Sequence, residues 1–314
     1  MPFDFNQVSV PFRMQPGLRR IAPGSAQLTR SRQNGRHLRE KMAVLASTAN
    51  EALVATTGFD AGPALHAIAR EAALAAPPAF TFGGANDCSA PQLGWTIRDG
   101  RPEGTGEAAI GDLLESLPSS KRTTALLCLA FEEDFAVIDG ATATIPWLAV
   151  CLPSRWAPED KVGRHFAEVH APVADSTMLL EASDRLARLV TGADRWERFV
   201  WTISADPRLH QHPARGNVPW PDAADVESIA SLAIFRHEHQ TFLPVPGTGQ
   251  AVFTIHVASE PLESALRSRE DASRLHDALA SMTPAVLAYR GLERVQGRLL
   301  VALTRRIDSL PSAP

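Results

Sequence analysis

The sequence predicts an α+β protein with an antiparallel sheet and helices packed on one face, extended by helical segments at both ends. Two observations lead there. Runs with strand character cluster in the middle of the chain, and helical apolar spacing marks the stretches before and after them. The order of three strands, then helices, then three more strands is that of an α+β layer architecture.

Residues 1–34 read as an irregular arm, because Pro11, Pro16, Gly17, Pro23 and Gly24 break any period. Leu38, Met42, Leu45 and Leu53 place a helix over 36–55, and AGPALHAIAREAALAA (61–76) is a second, stopped by Pro77-Pro78. The Gly-rich, aromatic stretch 79–105 is expected to be a loop, followed by a short helix over 108–117 that ends at Pro118. ALLCLAF (125–131), DFAVID (134–139) and TATIPWLAVCL (142–152) read as strands, with Asp139-Gly140 as a hairpin turn. Helices are expected over 158–169 and 175–191, the second on the spacing of Met178, Leu179, Leu186, Leu189 and Val190, with Gly192 as its stop. RFVWTIS (198–204), SLAIFRHEHQTFL (231–243) and QAVFTIHVA (250–258) are the remaining strands, and 259–310 returns to helix with a break at Pro284. A PAS-like arrangement satisfies this order, with residues 1–120 as arm and helical cap, 121–260 as the core and 261–314 as C-terminal helices packed on it. Sheets of this kind keep a pocket between helices and inner face.

Composition narrows the function classes. Hydrophobic residues make up 45% of the 314, enough for a real core, and the net charge of −4 with no basic stripe argues against nucleic acid. No apolar run reaches the ~18 residues of a membrane helix, and the N-terminus lacks an apolar signal core, so a cytoplasmic protein is expected. Cys88, Cys128 and Cys151 are few and far apart, as reduced buried thiols would be. The G-x-S-x-G, G-x-x-x-x-G-K-[ST], H-E-x-x-H and C-x-x-C signatures are missing, and Gly247-x-Gly249 joins two strands as a turn.

The segment CLPSRWAPEDKVGRHFAEVHAPV (151–173) concentrates chemistry. His170 sits at a predicted helix end, with Pro172 fixing the chain direction. A neutral imidazole there can bind iron through one nitrogen while the other donates to a carbonyl or carboxylate, or it can simply cap the helix. His165, five residues earlier, points to another side of the helix. Lys161 and Arg155 can pair with propionates or remain solvated, and Trp156 is either core or an aromatic cofactor wall. On the strand RHEHQ, alternation places Arg236, Glu238 and Gln240 on one face and His237 with His239 on the other. Glu238 is the candidate catalytic carboxylate, holding a cationic amine; a structural salt link with Arg236 is the alternative. His237, His239 and His256, and more weakly His210-x-His212, form a competing zinc or iron hypothesis.

Read together, dispersed blocks resemble the heme-dependent oxidative N-demethylase family. They are Pro11-Phe12-Arg13-Met14-Gln15-Pro16-Gly17-Leu18, Phe131-Glu132-Glu133-Asp134-Phe135, Pro153-Ser154-Arg155-Trp156 with Lys161-Val162-Gly163 and Val169-His170-Ala171-Pro172-Val173, then Arg198, Trp201 and Thr202, then Arg236, Glu238, Gln240-Thr241 and Phe253-Thr254-Ile255, and last Tyr289-Arg290-Gly291. The resemblance implies a PAS-like fold, heme b and oxidative demethylation of a small secondary amine such as dimethylamine, with formaldehyde as the carbon product. It further implies flavin and iron–sulfur reductase subunits and a tetrahydrofolate-linked route for formaldehyde. His170 is then the expected iron ligand, with Lys161, Arg236, Arg198, Trp156 and Gln240 completing the cofactor-binding set. The chain departs from the family pattern at Val200, His239, Leu243-Pro244, His256 and Ala258, where the family carries Asn, Arg or Tyr. Those lost cationic groups keep a non-catalytic heme or small-molecule sensor, or a scaffold subunit, as the alternative.

Overall fold

The computed structural model describes residues 3–75, 77–175, 177–223 and 225–311; the side chains of Met178 and Leu179 lie outside the described part. The first part of the chain forms β1 (Arg19–Arg20), α1 (Arg36–Ala52), β2 (Leu53–Ala55), α2 (Gly62–Ala72), β3 (Thr81–Gly84), β4 (Asp87–Ala90), β5 (Trp95–Arg98), β6 (Arg101–Gly104), α3 (Ala108–Ser116) and α4 (Ser119–Ala130). The middle forms β7 (Asp134–Asp139), β8 (Thr144–Ala149), α5 (Phe166–His170), α6 (Thr177–Glu181), α7 (Ser183–Val190), β9 (Trp196–Ser204), α8 (Val226–Leu232), β10 (Ile234–Val245) and β11 (Gln250–Pro261). The last part forms α9 (Leu262–Ala265), α10 (Arg269–Ala280), α11 (Pro284–Arg290) and α12 (Gln296–Ser309).

The α+β class and the antiparallel sheet are borne out. Seven strands make the main sheet in the order β1-β9-β10-β11-β7-β8-β2, and neighbouring strands pair antiparallel. Counted from β7, the five central strands run 2-1-5-4-3. Alternation splits the sheet into two faces. Arg198, Glu238, Gln240, Phe253, Ile255 and Ala136 share one face, as the registers Gln240↔Arg198, Gln240↔Ile255 and Phe253↔Ala136 require. The other face carries Phe135, Val137, Trp147 and Val252 into one apolar cluster with Leu45, Leu65, Ile68 and Leu126. Helices therefore cover both faces, with the N-terminal layer on the second one. The C-terminal helices close a separate cluster around Trp201, Ile203 and Phe235.

Four sequence expectations are corrected. ALLCLAF is not a strand but the end of α4, with residues 125–130 fully buried. A short apolar run lacks the periodicity that separates a buried strand from a buried helix. The stretch 79–105 is not a loop but a four-stranded sheet, β3-β4-β5-β6. Its strands are only four residues long. The β5–β6 turn is Asp99-Gly100 with φ +49° and +73°, the positive-φ pair that a tight hairpin needs. The helix expected over 158–169 is interrupted: a 3₁₀ turn at Pro158–Asp160 is separated from α5 by a loop through Gly163. The helix over 175–191 is divided into α6 and α7. The break at Pro284 stands, since Thr283 Oγ1 caps α11 by accepting from the Val286 N–H at 3.2 Å. Gly140 follows β7 in the expected turn; a Cβ there would meet Thr191 Oγ1 at 2.0 Å, so only glycine fits against α7's end.

Cys88, Cys128 and Cys151 are free and buried. No helix among the described residues is long and apolar enough to cross a membrane. A buried ion pair joins the N-terminal layer to the sheet: Lys41 Nζ lies 3.1 Å from Asp134 Oδ1 and donates to the carbonyls of Phe131, at 3.0 Å, and Glu133. Asp134 Oδ2 in turn accepts the Leu152 N–H at 2.6 Å. Removing one partner of such a pair leaves an uncompensated buried charge. Lys41→Met is expected to cost about 3–5 kcal/mol in urea denaturation, and adding Asp134→Asn is expected to restore part of it.

Candidate functional site

Loops after β8 and β9 fold back over the first face of the sheet, and α5 lies across it. Val169 packs toward Ala136, Ile145 and Leu148, and Phe166 toward Ile138 and Phe242. Between them is a cavity of about 820 Å³, within the range of small-molecule and cofactor sites. Its floor is apolar at Ala136, Ile138, Phe242, Phe253 and Ile255, and the arm adds Gln15 and Pro16. His170, Lys161, Arg236, Arg198, Trp156, Gln240 and Glu238 all line this one cavity.

His170 closes α5. The i−4 carbonyl of Phe166, at the start of the same helix, accepts from the His170 Nδ1 at 2.8 Å. A carbonyl only accepts, so the proton sits on Nδ1 and the Nε2 lone pair has no partner among the described residues. Burial, with the positive charges of Arg198 and Lys161 nearby, pushes the imidazole pKa down to about 4. The ring is therefore a neutral nitrogen base at physiological pH. His165 does a different job. Its Nδ1 accepts the Ala167 N–H at 3.2 Å, its backbone N–H donates to Glu168 at 3.2 Å, and its Nε2 reaches Asp184 at 3.0 Å. It is the N-cap of α5, and thereby sets the helix that carries His170.

The polar strand RHEHQ faces as alternation predicts, with Arg236, Glu238 and Gln240 on the cavity side. Arg236 is only 1% exposed. Its guanidinium donates to Ser154 Oγ at 2.7 and 2.9 Å and to the carbonyls of Arg208 (3.0 Å), Leu209 (2.9 Å) and Leu152 (3.4 Å). These donors are spent on protein, so Arg236 shapes the wall rather than offering a free cation. The Ser154 hydroxyl in turn donates to Glu238 Oε1, and Gln240 Nε2 donates to Glu238 Oε2 at 2.6 Å. Glu238 is thus linked to Arg236 through Ser154 and not directly.

Arg198 differs from Arg236. Its Nε is buried with no hydrogen-bond partner, and the side chain lines the cavity. Burial lowers its pKa, and Glu238 acts against that. The residue is half-buried, and a guanidinium lining a cavity lacks water's full solvation. Lys161 Nζ donates to the Val169 carbonyl at 3.2 Å, and Trp156 packs between the sheet and the cavity. Sequence reasoning gave Tyr289 no role at the site, yet it stands at the cavity with Gln211 and His212. Its marker was the Tyr289-Arg290-Gly291 block. Arg155, held at φ +63°, donates from Nη1 to the Arg290 carbonyl at 3.3 Å, joining two walls.

The three-histidine strand site does not assemble. His239 Nε2 is 2.7 Å from Glu197 and stacks on Phe199, while His256 Nε2 is 3.1 Å from Glu132. His237 packs at 4.9 Å against the Phe3 ring, with Nδ1 unpartnered. His210 donates Nδ1–H to the Cys151 carbonyl at 2.7 Å, and His212 caps a 3₁₀ turn. Each of these rings has a local structural partner, or none.

Residues 105–300 match the family described as haem-dependent oxidative N-demethylase, alpha subunit-like. The match spans more than half of the 314 residues, and the chain belongs to this family. Apart from the arm residues, the cavity lining described above lies inside the matched segment.

His237 provides a pH test of the packing. Burial holds its pKa down to about 4, below the ordinary 6.5, so the unfolded chain binds the extra proton first as pH falls. Stability is then expected to fall between pH 6.5 and about 4, by on the order of 3 kcal/mol from this ring. His237→Phe is expected to flatten that part of the stability–pH curve measured by denaturant unfolding.

Proposed function

We propose that this member of the haem-dependent oxidative N-demethylase, alpha subunit-like family binds heme b in the cavity beneath α5 and removes a methyl group oxidatively from a small secondary amine of the dimethylamine kind. The observation that carries the reading is His170: a neutral imidazole, Nδ1–H committed to the Phe166 carbonyl, Nε2 open. That is the donor an iron porphyrin takes from a protein. The apolar floor suits the macrocycle, and the unpartnered Arg198 with Lys161 suits its propionates. Attachment without covalent bonds fits too, because a C-x-x-C-H segment is missing and no cysteine lines the cavity among the described residues. The strand order 2-1-5-4-3 supports a PAS-like description of the core.

Bound heme would supply the oxidising chemistry. The residues of the chain bind, orient and exclude water. Glu238 is the acidic group of the floor, its two oxygens held by Ser154 and Gln240. An ammonium N–H of the amine can be accepted there, which presents the methyl group to the cavity centre. Val200, Phe253 and Ile255 beside it keep the reacting carbon in an apolar setting. Electrons must arrive from outside the chain. The alpha-subunit-like family fits partner subunits, and we assign the supply to a flavin and iron–sulfur reductase.

Protein loaded with heme and given an electron donor, oxygen and dimethylamine is expected to release formaldehyde. Glu238→Gln keeps the size and the Gln240 contact but loses the charge, and is expected to lower kcat/KM by about tenfold to a hundredfold. Absence of formaldehyde from dimethylamine and other small secondary amines would contradict the reading.

A further inference from the structure

On the opposite face of the sheet, three ligand atoms from distant parts of the chain converge. His37 enters from the first turn of α1, His256 from β11, and Glu132 from the link between α4 and β7. Their ligand atoms all lie within 4.8 Å of one another. The side chains are 15%, 18% and 12% exposed, so the cluster is neither sealed nor free in solvent. None of the three lines the cavity.

The proton positions make this cluster unusual. His37 Nε2 is 2.7 Å from the Val257 carbonyl, which must accept, so its proton is on Nε2. Its Nδ1 then presents a lone pair, and 3.6 Å away is Glu132 Oε2, another lone pair. The carbonyl behind His37 is the kind of outer partner that orients a metal-binding imidazole.

We propose that His37, Glu132 and His256 bind a first-row divalent metal ion such as zinc, through His37 Nδ1, His256 Nε2 and a Glu132 oxygen. Ligands about 2.0–2.1 Å from a tetrahedral zinc lie about 3.3 Å apart. The separations here, 3.1 Å for His256–Glu132 and 3.6 Å for His37–Glu132, bracket that value. Binding through Nε2 requires the proton of the neutral His256 ring to sit on Nδ1 instead, with no net proton lost, and leaves a fourth position open to water. The metal would pin α1 and the α4–β7 link to β11, on the far side of the sheet from the cavity. A second cluster, Glu51, Glu159 and His212, lacks this signature. There His212 Nδ1 accepts the Ala214 N–H, so Nε2 carries the proton and donates to Glu159 at 3.1 Å, an ordinary hydrogen bond.

The test uses untagged full-length protein stripped with a chelator, then dialysed against zinc and assayed by elemental analysis and calorimetry. One tight equivalent per chain is expected, with a rise in Tm. His37→Ala, His256→Ala and Glu132→Gln are each expected to weaken that site about a hundredfold or more, while His212→Ala, His165→Ala and His170→Ala leave it unchanged. Circular dichroism in the absence of zinc checks folding, and the isosteric Glu132→Gln decides if an alanine variant is unfolded. No stoichiometric zinc, or zinc that survives Glu132→Gln and His256→Ala, or is lost in His212→Ala, overturns the proposal. Because the readout is zinc and not heme or formaldehyde, it stands or falls separately from the reaction assigned to the cavity.

Discussion

A guanidinium shut away from water governs the geometry of the cavity. Arg236 sits on a central strand, and burying its charge costs several kcal/mol unless its donors are met. The chain meets them with two loops. The carbonyls of Leu152, Arg208 and Leu209 and the hydroxyl of Ser154 all turn toward it. Burial still draws its pKa down to about 10, against the pull of Glu238, Asp206 and Glu40. The loops are therefore held to the sheet and to each other, as the Gln211 N–H to Pro153 carbonyl contact at 2.9 Å also shows. Upstream, Lys41 fixes Asp134 and Asp134 fixes the Leu152 N–H. A line of buried polar contacts thus runs from α1 to Ser154 and on to Glu238.

That line explains which polar groups remain available. Glu238 and Arg236 are satisfied by protein, but the Nε of Arg198 and the His170 Nε2 are left open toward the same volume. An unmet buried donor costs about 1–3 kcal/mol, a cost that a bound carboxylate removes. The neutral state of His170 follows from the same low-dielectric setting. The sheet therefore separates two chemistries by alternation alone: a cation-lined, apolar-floored cavity on one face, and histidine–carboxylate contacts on the other.

Much of this was legible in the residues. Alternation on RHEHQ sorted Arg236, Glu238 and Gln240 from His237 and His239 correctly, and the 151–173 segment does bring His170, Lys161 and Trp156 to one cavity. The failures have physical causes. ALLCLAF gives no period, because every one of its side chains is buried. The small β3–β6 sheet hides in Gly-rich sequence, although Asp99-Gly100 marks its last turn. Nothing along the chain joins His37 and Glu132 to His256, since 219 and 124 residues separate them from it and only packing brings them together. Nor does residue type reveal that Arg236 spends its donors on backbone carbonyls while Arg198 keeps a free one; that is decided by where the loops land.

The account rests most directly on the open nitrogen of His170. The optical spectrum of the purified chain after addition of hemin tests it. A stoichiometric complex with a sharp Soret band is expected for the wild type and for His165→Lys, in which the α5 cap is lost but the ligand kept. The band is expected to broaden, shift and lose affinity in His170→Ala, with recovery on adding imidazole. A chain that stays colourless with hemin, or a His170→Ala spectrum identical to the wild type, would contradict it.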